Sequence, residues 1–75
     1  MLIVDLTYIQ PLSEVEKYLH DHREFLSKHY ARGNFLASGP KRPRTGGIIV
    51  SLVDEATMNN IVQEDPFYIH KIAVA

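Results

Sequence analysis

Residues 13–33 read SEVEKYLHDHREFLSKHYARG, and this stretch decides the fold. Val15, Tyr18, Leu19, His22, Phe25, Leu26, His29 and Tyr30 recur at helical spacing and make one stripe. Ser13, with Glu16 three residues on, has the pattern of a capping box, in which each side chain accepts from the other's amide. Gly33 stands where a helix ends, because φ > 0 is cheap for glycine. The spacing predicts a helix over Ser13–Arg32.

Working outward, Leu2–Ile9 is a strand candidate with two apolar faces. Leu2, Val4, Leu6 and Tyr8 share one face. Ile3, Asp5, Thr7 and Ile9 share the other, where Asp5 is the exception, expected at a dimer seam or a pocket rim. Such a strand is expected to be central and covered on both sides. Pro11 ends it. After the helix, Phe35–Ser38 is a short strand closed by Gly39-Pro40. Lys41–Gly46 is a polar loop punctuated by Pro43 and Gly46-Gly47. Ile48–Val53 is rich in β-branched residues and reads as a strand. Asp54 is placed to cap a second helix, about Glu55 to Gln63. Asp65-Pro66 opens a further turn, with proline at a first helical position. Ile72–Ala75 resembles the start of a last strand.

The order is β-α-β-β-α with a stub of β. It predicts an α+β, ferredoxin-like unit whose last strand is short or missing. Helices cover one face of such a sheet. The apolar residues on the other face call for a second subunit, and so does the small size: 75 residues lie near the lower limit for folding on one core. The expected partner is another copy of the chain.

Composition excludes several classes. The chain is 45% hydrophobic and 23% charged, too apolar for a disordered polymer. Eight Lys+Arg against nine Asp+Glu give a net charge of -1, which argues against broad nucleic-acid binding. There is no cysteine, hence no disulfide, thiolate zinc site or cysteine nucleophile. No apolar run approaches a membrane span and no signal pattern opens the chain, so a cytoplasmic protein is the simplest reading. No Gly-rich phosphate loop or dinucleotide fingerprint is present, and no cofactor is expected. His20 and His22 point to opposite sides of a helix. His22 and His29 share a face but lie about 10 Å apart at helical rise. A metal site within one chain is therefore not expected.

A helix carrying His22-Arg23-Glu24-Phe25-Leu26 is followed by Ser38-Gly39-Pro40, a Gly-Gly-initiated strand, and then Asp65-Pro66-Phe67-Tyr68. This ordered set resembles the YCII-related (YciI-like) domain family over Met1 to about Ile72, and the chain reads as a single such domain over residues 1–75. The resemblance implies a ferredoxin-like domain that pairs into a dimeric α+β barrel. It implies a His–Asp pair at His22 and Asp65, with Ser38, Gly39 and Pro40 near the pocket. One relative is a dehydrochlorinase of a chlorinated hydroquinone, which implies lyase-like acid–base chemistry on an aromatic or anionic small molecule.

Each candidate has a plainer reading beside the functional one. His22 is either a core histidine bonded to a backbone carbonyl or a proton-transfer group. Asp65 is a helix cap, an orienting partner for His22, or both, since a carboxylate has several acceptor sites. Ser38 lacks the Gly-x-Ser-x-Gly elbow of a nucleophile and reads better as a strand end or a substrate hydrogen-bonding group. Lys41, Arg42 and Arg44 form either a solvated loop or an anion-capturing one, with Arg44 the one expected to point inward. The readings that follow are an acid–base enzyme, a ligand-binding module, or a purely structural dimer.

Overall fold

In the computed structural model, which describes residues 1–75, β1 (Leu2–Tyr8) leads into α1 (Leu12–Ala31). Then come β2 (Phe35–Pro40), β3 (Gly46–Ser51), α2 (Glu55–Val62), α3 (Pro66–Ile69) and β4 (Ala73–Val74). The four strands form one antiparallel sheet in the order β2-β3-β1-β4. This is the ferredoxin-like α+β arrangement with a short final strand.

Alternation along β1 sorts its residues as the sequence predicts. Leu6 is buried and Leu2, Val4 and Tyr8 are half-buried, whereas Ile3, Asp5 and Thr7 are exposed. Register carries this inner face across the sheet. Leu2 pairs with Ser51, Val4 with Ile49 and Leu6 with Gly47. On it gather Leu6, Phe35, Ile49 and Ala73, with Val15 and Phe25 from α1, Met58 and Ile61 from α2, and Phe67 from α3. Each of these side chains except that of Ala73 contributes about 1.5–3 kcal/mol by leaving water. Phe25 meets Phe35 edge-on, with ring centroids 5.9 Å apart.

Three of the boundaries that differ from the sequence reading have a clear local reason. α1 begins at Leu12, and the Ser13–Glu16 capping box does not form. Pro11 is the cap residue, extended at φ -63° and ψ 156°, and its carbonyl accepts from the amides of Glu14 (2.9 Å) and Val15 (3.2 Å). Ser13 is thereby already inside the first turn, and Glu16 is free to reach Arg44. β2 runs on through Pro40 because it is an edge strand, where a missing N–H leaves no ladder bond unmade. β3 starts at Gly46 rather than Ile48, because both glycines pair with β1. The other end of α1 is as expected. Gly33 has φ 75°, its amide donates to the Tyr30 carbonyl and that of Asn34 to the His29 carbonyl, which closes the helix. Asp54 caps α2 through the Thr57 amide at 2.8 Å.

His29, in the apolar stripe, is only 1% exposed yet fully bonded. The Asn34 side-chain amide lies 3.0 Å from Nδ1 and donates to it, so Nε2 carries the hydrogen directed at Glu64, 3.0 Å away. Lys28 also donates to Glu64, at 2.7 Å. The Lys28 hydrogen bond, then that of His29, holds the Glu64 carboxyl below its ordinary value of 4.5. A depressed folded-state value stabilises the fold above the unfolded value and loses that stabilisation as pH falls through the folded one. Thermal midpoints measured from about pH 5 down to pH 3 should therefore decline. In Glu64→Gln the decline should be shallower, by a modest margin because the carboxylate is 41% exposed. An unchanged slope in that variant would refute the assignment.

Candidate functional site

α1 and the inner face of β2 and β3 do not close on one another along their whole length. Gly47 brings no side chain to the inner face opposite Leu6, and Ser38 brings a small one beside Ile49. A cavity of about 520 Å³ results, within the range of small-molecule sites. Leu6, Leu19, Leu26 and Ile49 give it an apolar floor. His22, Arg23, Glu16, Ser38 and Arg44 supply its polar groups.

His22 projects from the middle of α1 and Asp65 from the start of α3. Their Nδ1 and Oδ1 atoms lie 2.8 Å apart. The same Oδ1 accepts from the Phe67 amide at 2.9 Å, so Asp65 caps α3 and holds His22 with one oxygen. Asp65 thus makes both a helix-cap contact and a hydrogen bond to His22. A carboxylate only accepts, so Nδ1 carries the hydrogen and the lone pair is left on Nε2. The Phe67 ring stacks on the imidazole, with centroids 4.0 Å apart and planes 4° from parallel. His22 is therefore clamped by a hydrogen bond at its edge and an aromatic ring on its face. Its side chain keeps 12% exposure, whereas that of Asp65 keeps 1%. The second oxygen of Asp65, Oδ2, is buried without a partner. His22 makes its bond to a side chain, so the reading of a core histidine satisfied by a backbone carbonyl is not what the structure shows.

The remaining predicted residues fall around the same cavity. Ser38, Gly39, Pro40 and Arg44 all line it. The Ser38 hydroxyl is 2.6 Å from that of Tyr30, and no base adjoins it. The Arg44 guanidinium donates to Glu16 at 2.6 Å. That hydrogen bond pushes Arg44 further up from an already high value, with a smaller contribution from Tyr8. Lys41 turns the other way, to Asp5 and, at 3.4 Å, to the Thr7 hydroxyl on the outer face. Asp5 is therefore the loop's anchor on that face and does not line the cavity.

Glu16, Arg23, Tyr30 and Phe67 were not among the residues predicted for the site. Glu16 and Arg23 flank Leu19 and Leu26 of the apolar stripe at spacings of three and four residues, a charged edge to it. That charged flank was the available signal for the first two. Tyr30 and Phe67 reach their partners only through the packing of β2 and α3 against α1, and local spacing holds no trace of that.

No helix is long and apolar enough to cross a membrane. No curated protein and no solved structure matches the chain. The family model of the YCII-related domain matches residues 1–73. With all but the last two residues spanned, this chain belongs to the YCII-related domain family.

Proposed function

We propose that the cavity is the active site of a small-molecule enzyme working by general acid–base chemistry. His22 Nε2 transfers the proton, and Asp65 sets the tautomer and the ring orientation. Ser38, Gly39 and Pro40 at the end of β2 shape the pocket, and Arg44 draws an anionic group to its mouth. A lyase-like elimination suits this set. Nε2 takes a proton from carbon, that bond's electron pair forms the new double bond, and the leaving group departs with its own pair. The observation that supports this reading best is the 2.8 Å bond from His22 to a buried Asp65, on a histidine whose other nitrogen is unengaged.

The protein is proposed to work as a homodimer. On the outer face Ile3, exposed, pairs with half-exposed Val50 beside half-exposed Ile48, an apolar cluster suited to a second copy.

The test is turnover on a panel of halogenated phenols and small carboxylic acids by the parent chain and His22→Ala, with the mass of each read by sedimentation. Turnover that falls at least about 100-fold in a variant that still sediments as two chains is the expected result. Ligand binding without turnover in the parent chain would replace this reading with that of a binding module. A one-chain mass would remove the dimer.

A further inference from the structure

The charged groups of the cavity do not balance. Arg23 and Arg44 both line it, and Glu16 is its single carboxylate. Glu16 is bound to Arg44, whereas Arg23 has no ion-pair partner. The Arg44–Glu16 pair is also weakly held: the side chains are 37% and 54% exposed. Exposed pairs of this kind shift an equilibrium by no more than about fivefold. Glu16 therefore acts as an internal stand-in for an anion at a site one positive charge in surplus. Behind the two arginines the wall turns apolar, through Leu19 and Leu26 on the helix and Ile49 on the sheet.

We propose that the ligand is a monocarboxylate with an apolar body, and that it displaces Glu16 from Arg44 on binding. This rests on the reading of the cavity as the active site and names the class of molecule that enters it. The guanidinium fork of Arg44 matches a carboxylate in two parallel hydrogen bonds. Arg23 gives the incoming anion a cation that no side chain already occupies. The apolar body then lies on Leu19, Leu26 and Ile49, within reach of His22. Glu16 sets specificity by competition: an anion that cannot also fill the apolar wall gains too little to displace it.

Sodium benzoate is the probe, with benzamide as its neutral counterpart, followed by amide NMR titration at low salt. Benzoate should perturb the signals of Ser38–Pro40 and of the Arg44 loop, and bind at least about tenfold more tightly than benzamide. Arg44→Gln should weaken benzoate binding about tenfold, and Glu16→Gln should strengthen it about fivefold. Both side chains are on the surface, so both variants should keep the parent's signal dispersion. Equal affinity for benzoate and benzamide, or benzoate affinity unmoved by Glu16→Gln, would overturn the proposal. The parent chain separates the two readings: benzoate bound at the Arg44 loop with no turnover of any substrate on the panel would remove the acid–base reading and leave the carboxylate site standing. Catalysis confined to neutral substrates, with no benzoate bound, would sink the carboxylate proposal alone.

Discussion

Gly46→Ala should unfold the protein. A Cβ at this position would lie 1.8 Å from the Leu6 carbonyl oxygen, 2.8 Å from its carbon and 3.0 Å from the Thr7 Cα. All three are backbone atoms of β1, so no rotamer change relieves the contact. The β1–β3 pairing itself must open, and β1 is a central strand, flanked by β3 and β4. Overpacking costs about 1–3 kcal/mol where side chains can yield, and a clash with fixed backbone at 1.8 Å exceeds that range. Domains carry only about 5–15 kcal/mol in total, and one of 75 residues lies toward the low end. Gly39→Ala is the matched control, because no heavy atom lies within 4 Å of its added Cβ. Circular dichroism melts and amide NMR dispersion should show Gly46→Ala unfolded and Gly39→Ala indistinguishable from the parent. A cooperative Gly46→Ala melt within a few degrees of the parent would refute the register assigned to β1 and β3.

Asp65→Ala should cost both stability and turnover. The carboxylate oxygen that caps α3 at the Phe67 amide is the one that holds His22, so one substitution removes two bonds. A lost cap costs about 0.5–2 kcal/mol, and a lost buried hydrogen bond to a charged group about 1.5–3 kcal/mol. Against this, the alanine no longer buries Oδ2 without a partner. The net should be about 2 kcal/mol, lowering the thermal midpoint by about 10 °C in a domain of this size. Asp65→Asn separates the two roles. Its carbonyl oxygen can still accept from Phe67 and His22, whereas its amide nitrogen would take the unpartnered place of Oδ2. It should therefore be folded but slower. Ring nitrogen shifts of His22 should report a single tautomer, with the hydrogen on Nδ1, in the parent chain and a mixture in Asp65→Ala. The same tautomer in both would show that Asp65 does not orient the ring, whatever the loss in stability.

Much of the fold was legible because its signals are local. The stripe from Val15 to Tyr30 repeats at the helical period, Gly33 ends α1 at a φ > 0 that suits glycine, and Asp54 and Asp65 each precede the helix they cap. The capping box at Ser13 was legible and misleading. Pro11 caps the helix two residues earlier in the chain, its carbonyl accepting from the Glu14 and Val15 amides, so Ser13 lies inside the first turn and is no longer at the helix end. Gly46-Gly47 carried the same ambiguity. A glycine pair reads as a turn, and only the close approach of β1 shows that these two belong in the sheet.

By itself the sequence determined the order of elements, the α1 face that turns inward, and the residue types available for acid–base chemistry. Each of these depends on neighbours a few positions apart. Tertiary structure alone decided which of those residues meet. His22 and Asp65 are 43 positions apart, and bond only because the long helix brings one over the start of the short helix that bears the other. Phe67 stacks on the imidazole for the same reason. Arg44 finds Glu16 across 28 positions because the β2–β3 loop folds back to the first turns of α1. The cavity between them exists because Gly47 and Ser38 leave unfilled the space that larger side chains would occupy.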